Sequence, residues 1–230
     1  PQLHHSRIGA RDANIVGMSP AAGFQQHGET TSLATGTDPD RGAAGAARPG
    51  GISAGLNMNS PPAKLLVNVD DREARLRLCG LANLKCGPDF KNLVSALHDK
   101  GYRRFVIEMS ECTLMDSTFL GLLCGLALKL RQSSDRAAGV ELLNPTPRVV
   151  ELIESLGVTS LFTLTRASLP PAAVADMVTH NCGEHTRTEL AATSLEAHQT
   201  LVAFHPENAS KFKDVTGFLA EDLQRLKRGA

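Results

Sequence analysis

Between Lys64 and Thr165 the apolar residues recur in two rhythms, one of period two and one of helical period. Leu65-Leu66-Val67-Asn68-Val69 reads as a strand, and Ala74-Arg75-Leu76-Arg77-Leu78 alternates as a strand with one wet face does. Asp70-Asp71 lies between them as a hairpin turn. Gly87-Pro88-Asp89 opens a helix, with Pro88 at the first helical position, where its missing N–H is no loss. Phe90, Leu93, Val94 and Leu97 form the buried face of that helix, and Gly101 ends it. Phe105-Val106-Ile107-Glu108-Met109 is the kind of strand that is buried on both faces.

A polar corner follows and then a long apolar helix from about Ser117 to Leu130, carrying Leu120, Leu123, Leu126, Ala127 and Leu130. Val140-Glu141-Leu142-Leu143 is a further strand. Asn144-Pro145-Thr146-Pro147 caps a short helix with Val149, Val150, Leu152, Ile153 and Leu156, which Gly157 stops. Leu161-Phe162-Thr163-Leu164 is a weak final strand. Strands alternating with helices in this order predict an α/β domain over about residues 64–165. Two amphipathic helices are expected near the C-terminus, one over roughly Glu189–Ala203. The other starts at Pro206 and presents Phe212, Val215, Leu219, Leu223 and Leu226 at spacings of three and four. Glu207, Lys211, Asp214, Glu221, Asp222, Arg225 and Lys227 form its solvated side, and Arg228 adds to a basic end that suits a helix C-terminus. The stripe is read first as packing on its own domain, with a homodimer contact through the C-terminal helices as the alternative.

Residues 1–57 have neither rhythm. They hold ten of the 20 glycines, with much Ala, Thr and Pro. Such a tract buries too little surface to offset ordering entropy, and it is expected to be disordered. The chain starts with Pro1, and Met58 directly precedes the first patterned stretch, so Met58 is a candidate natural start. The expected division is therefore 1–57 disordered or misassigned, 58–165 the α/β domain, 166–187 a linker including Ser168-Leu169-Pro170-Pro171, and 188–230 the helical extension.

The formal net charge of the 230 residues is zero, so there is no global electrostatic case for nucleic acid or an anionic membrane. One Tyr and no Trp argue against a base-stacking platform. No apolar run approaches a membrane span, and no membrane insertion is expected. The five cysteines, Cys79, Cys86, Cys112, Cys124 and Cys182, are odd in number and show no CxxC spacing, which fits scattered reduced thiols in a cytosolic protein.

The candidate chemistry sits at Met115-Asp116-Ser117-Thr118-Phe119-Leu120. An acid and two hydroxyls before an apolar run make a good helix start, because oxygen side chains satisfy the free amides of a first turn. A phosphate on Ser117 would meet free N–H groups and a favourable dipole there. His180-Asn181-Cys182-Gly183-Glu184-His185 has zinc-ligand residue types, but no second cluster completes a site and the stretch reads as polar linker. Neither a metal nor a cofactor is expected. No Gly-rich phosphate loop is present, and no nucleophile–base pair stands out, so an enzyme lacks support.

The corner residues, the element order, Leu142-Leu143-Asn144-Pro145-Thr146-Pro147-Arg148-Val149 and Leu156-Gly157-Val158-Thr159-Ser160-Leu161-Phe162 resemble the STAS domain of bacterial anti-sigma factor antagonists. The resemblance covers about residues 64–165. It implies a mixed sheet of four to five strands packed with helices. It also implies that Ser117 is phosphorylated by an anti-sigma factor with serine kinase activity and reset by a phosphatase. The unphosphorylated protein would bind the anti-sigma factor, through Asp116, Ser117, Thr118, Phe119 and Leu120, and so release a sigma factor in the cytoplasm. Where the family often has glycine two residues after the serine, this chain has Phe119, which would narrow partner choice or add an apolar anchor. Stand-alone STAS proteins also serve as small subunits of lipid-transport ABC complexes, bracing the ATPase, and that is the alternative function.

Overall fold

The computed structural model describes residues 63–70, 72–168 and 176–228. The expected disordered tract over 1–57 lies outside the described residues, as do Asp71 and the Pro170-Pro171 part of the linker.

A sheet of seven strands carries the domain. Strands β1 (Lys64–Val69) and β2 (Glu73–Ala82) form the expected antiparallel hairpin. Asp70 closes it by accepting the backbone N–H groups of Arg72 and Glu73 at 2.9 and 2.7 Å. β3 (Arg104–Glu108), β5 (Gly139–Leu143) and β6 (Phe162–Thr165) add in parallel on the other side of β2. β4 (Cys112–Met115) pairs in parallel with the far end of β2, past a register shift at Gly80, whose φ of 77° a glycine adopts without strain. β7 (Val178–Asn181) pairs antiparallel with β1 and makes the order β6-β5-β3-β2-β1-β7.

The sheet is mixed, as expected, and larger than the four to five strands expected. β4 and β7 are the additions. β7 comes from the stretch read as linker, and every one of its four residues is exposed. It joins the sheet through backbone pairing with β1 and buries no apolar face, so no apolar alternation announced it.

Helices α1 (Gly87–Asp99), α2 (Ser117–Arg131) and α3 (Pro147–Ser155) follow β2, β4 and β5 in the chain. Helices α4 (Arg187–Phe204) and α5 (Asn208–Arg228) form an antiparallel-type pair, α4 lying along α2 and α5 folding back on α4. The core contains Phe90, Phe105, Ile107, Met109, Phe119, Leu120, Leu123, Leu130, Leu142 and Ile153, all under 2% exposed. It includes the Phe90–Phe119 ring pair, with centroids 4.6 Å apart.

The C-terminal pair is fastened at both ends. Asn208 is fully buried at the α4–α5 junction and donates to the carbonyls of Leu156 and Leu201 at 2.9 and 3.3 Å. Just before α4, Cys182 is disulfide-bonded to Cys86, with Cα atoms 5.1 Å apart. This corrects the expectation of five reduced thiols: a pairing across 96 residues leaves no spacing signature, and only the fold brings the two together. Cys79, Cys112 and Cys124 are free. Among the described residues no helix is long and apolar enough to cross a membrane.

Cys182→Ser is expected to lower the unfolding free energy by about 2–4 kcal/mol in non-reducing buffer, through the loop closure it releases. Denaturant titration checks this, and wild type in a reducing buffer should match the variant.

Candidate functional site

The corner between β4 and α2 is built by Asp116. Its backbone is extended, with φ −96° and ψ 169°, and its N–H donates to Ala82 O at 3.0 Å, continuing the β2–β4 pairing. Its carboxylate then bridges two elements. Oδ1 accepts the N–H of Phe119 at 2.8 Å, capping α2, and Oδ2 accepts the N–H of Leu84 at 2.9 Å, at the 3-10 turn Leu84–Cys86 that leads into α1. Burial pushes the Asp116 pKa up, while these two N–H groups and the nearby His198 pull it back.

Ser117 is the first residue of α2 and is half-buried. Its Oγ lies 2.9 Å from His198 Nε2, on α4. The proton positions follow from the other side of the ring. His198 Nδ1 sits 2.8 Å from the carbonyl oxygen of Ser194, which can only accept, so Nδ1 carries the proton and Nε2 accepts from the Ser117 hydroxyl. His198 is 5% exposed, and its ring packs on Phe212 of α5 with centroids 4.7 Å apart. Burial lowers its pKa, although the Ser194 carbonyl and the Asp116 charge act against that shift. Beside it, Thr118 Oγ1 and Ser194 Oγ are 3.2 Å apart, both side chains being buried.

The helices meet this closely because α2 has a glycine where α4 crosses it. A Cβ on Gly121 would lie 2.4 Å from the carbonyl oxygen of Ala197. Near the start of α1 a Cβ on Gly87 would lie 3.3 Å from the Thr193 methyl, so α4 is seated on both helices.

The sequence-derived site therefore divides. Asp116, Ser117 and Thr118 stand together at the corner. Phe119 and Leu120, expected on a partner-contact face, are 0% exposed and belong to the core. The reason is that α2 runs between the sheet and α4, so Phe119 and Leu120 have no free surface, while Gly125 and Lys129 further along the helix keep some. The role suggested for Phe119 as an exposed anchor is corrected accordingly: it packs on Phe90.

His198 and Ser194 were not singled out from the sequence. Thr193, Ser194, Ala197, His198 and Leu201 do recur at helical spacing and are all buried. Three of the five are polar, which conceals the stripe as a buried face. The His180–His185 stretch is held by Asp89 of α1. His185 Nε2 and Gly183 N lie 2.7 and 2.9 Å from Asp89 Oδ2. Among the described residues no group of three His, Cys, Asp or Glu side chains is arranged to hold a metal ion.

A groove of about 280 Å³ lies between α1, α2 and α4, lined by Lys91, His98, Gly121, Gly125, Lys129 and Thr200 among others. Neither Ser117 nor His198 lines it. The Ser117–His198 pair has nucleophile–base geometry, but it faces the interior of a helix contact and not this groove.

Residues 65–165 match the family profile described as "Mlab, STAS domain". Over this stretch, under half of the chain, the sequence is similar to a STAS domain. Two similar solved structures are of SpoIIAA. The anti-sigma factor antagonist SpoIIAA in its unphosphorylated form is 21% identical, over 48% of this chain and 93% of that one, with a TM-score of 0.41. The Bacillus cell fate determinant SpoIIAA in its phosphorylated form is 18% identical, over 48% of this chain and 96% of that one, with a TM-score of 0.38. No curated protein sequence matches the chain at a significant level. The STAS profile ends at residue 165, so α4 and α5, which supply His198 and Ser194, lie beyond it.

Asp116→Ala is expected to cost about 1–2 kcal/mol of stability, since it removes the α2 cap and leaves the Leu84 N–H without its partner. Asp116→Asn should cost less, because its oxygen still accepts one of the two N–H groups; chemical unfolding of the three proteins measures this.

A pH effect follows from His198. Its folded pKa is below the ordinary value of 6.5, so the unfolded chain binds more protons in the window below 6.5. The stability this residue contributes is complete above that value and is lost as pH falls through the window. Asp116, with a raised pKa, acts in the opposite sense, nearer the carboxylate range. Thermal unfolding at about pH 7.5 and about pH 5.5 should show a larger loss in wild type than in His198→Gln.

Proposed function

We propose that this protein is a regulatory binding protein of the anti-sigma factor antagonist type, switched by phosphorylation of Ser117. The observation that carries the reading is the position of Ser117 in the STAS domain: it is the first residue of α2, directly after the capping Asp116 and a sheet strand. A phosphate added there brings nearly two negative charges and three acceptor oxygens. The helix start itself favours negative charge, so the domain keeps its fold. A partner pressed on the corner would meet the charge and lose affinity by repulsion and desolvation. A change of about 3 kcal/mol alters binding roughly a hundredfold, which is enough to exchange partners without refolding.

In this reading the partner is an anti-sigma factor with serine kinase activity, a phosphatase removes the phosphate, and the cycle runs in the cytoplasm. There the Cys86–Cys182 bond would be exposed to thiol reductants and would be a reversible one. The protein acts by binding and not by turnover. The Ser117–His198 pair is read as a packing contact, because it does not face the groove.

The family description supports a second reading, a STAS subunit that binds the ATPase of a lipid-transport ABC complex. In that case Ser117 stays unmodified and serves as part of the helix start.

The test is intact-mass and peptide mass spectrometry of the protein drawn from its native cell, with co-purifying proteins identified in the same sample. A phosphate on Ser117 together with a kinase-type anti-sigma factor is expected. An unmodified chain with an ABC ATPase would select the second reading. With the partner in hand, Ser117→Ala should bind constitutively and Ser117→Asp roughly a hundredfold more weakly. Equal binding by both would end the switch proposal.

A further inference from the structure

The corner that bears Ser117 is already occupied. We propose that α4, backed by α5, is an internal occupant of the Ser117 corner, so that a partner, a modifying enzyme or a phosphate must displace this helical pair to gain the site. The proposal rests on the reading of Ser117 as the regulated residue and adds the chain's own extension as a competitor for it.

Five contacts carry it. The Ser117 hydroxyl is engaged by His198 Nε2 at 2.9 Å, and that gap holds one proton and nothing larger. A phosphoryl group on Oγ would have to fit where the imidazole stands. The ring cannot retreat, because Phe212 packs on it and Nδ1 is tied to the Ser194 carbonyl at 2.8 Å. Thr118 is matched in the same way by Ser194 at 3.2 Å. Finally, Gly121 lies against the Ala197 backbone so closely that α4 cannot shift sideways towards α2. In the orientation that bonds His198, room for a modified Ser117 therefore comes from α4 moving away.

The character of the contact makes that movement separable from the core. Along most of its length α4 buries Ala191, Thr193, Ser194, Ala197 and His198, small or polar residues, and the large apolar side chains it packs on the core, Leu201, Val202 and Phe204, are gathered at its C-terminal end. The sheet core beneath is built from the large side chains of Phe90, Phe105, Phe119, Leu120 and Ile107. Burial of large apolar surface is what makes a unit cooperative, so the two layers should open at different free energies. The Lys91–Glu196 ion pair between α1 and α4 is exposed, with side chains 40% and 54% accessible, and holds little. While formed, the Cys86–Cys182 bond keeps the segment before α4 attached when the helices leave.

A site covered in this way binds its partner with an apparent affinity reduced by the fraction of molecules that are open. The extension would set that fraction.

Hydrogen–deuterium exchange of the full-length protein, resolved by peptide, tests this with wild type and Ser117→Glu. The glutamate carries its carboxylate past the hydroxyl position, into the space of the imidazole. Exchange across Arg187–Phe204 is expected to rise roughly tenfold or more, while β3 amides in Arg104–Glu108 stay at the wild-type rate. Unchanged protection of α4 would overturn the proposal, since the corner would then accept bulk without displacing the helices. A joint rise in α4 and β3 would also overturn it, by showing the pair to be part of the cooperative core. His198→Glu applies the same conflict from the α4 side while leaving residues 65–165 intact, and must give the same selective rise if Ser117→Glu does not fold. These readings need neither partner nor kinase. Failure to find phosphate on Ser117 in cells would remove the switch and leave the competition between corner and extension measurable by itself.

Discussion

The close crossing of α2 and α4 at Gly121 and Ala197 is the constraint on which the site depends. With no Cβ on Gly121, the two backbones approach until the Ala197 carbonyl occupies the space a side chain would fill. That approach sets both the distance and the register of the helices. One turn earlier along α2, Ser117 and Thr118 then fall opposite His198 and Ser194, at hydrogen-bonding distance. Any side chain at 121 would push α4 outwards and open these contacts together.

Two kinds of cohesion lie on either side of α2. Towards the sheet, aromatic and branched apolar side chains are buried without exposure, and the gain scales with the area they remove from water. Towards α4, the seam is made mostly of hydroxyls, an imidazole and small residues, with Leu201 as a buried apolar contact at its end. Each hydrogen bond there contributes about 1 kcal/mol net, but each group left unpaired would cost more than that. Such a seam specifies one docked arrangement sharply without adding much strength. The disulfide, the Asp89–His185 contact at 2.7 Å and the buried Asn208 hold its ends.

Asp116 joins these layers. Its two oxygens satisfy the amides of Phe119 and Leu84, so a single side chain ties the start of α2 to the approach to α1. The hydroxyl beside it is thereby fixed in direction. The helix end favours negative charge, while the hydroxyl that stands on it is engaged by His198 of α4.

The hairpin, the helices at 87 and 117, the buried β3 and the α/β order were legible because each is announced locally, by alternation, by helical periodicity or by a capping residue. The Asp-Ser-Thr corner was legible for the same reason: a helix cap is a short-range event. β4 and β7 were not, since one continues a corner and the other is exposed at every position and pairs through its backbone. Nor were the Cys86–Cys182 bond or the seating of α4, whose buried face mixes Thr193, Ser194 and His198 with alanine and looks polar in one dimension. Phe119 looked available for a partner because it follows a polar corner, and the helix packed on its far side decided otherwise. The sequence by itself determined which segments fold and where a helix must begin, because those are settled by groups a few residues apart. Only the tertiary structure decided that the serine at that helix start is bonded to a histidine 81 residues away, because long-range contact depends on the close approach of two backbones.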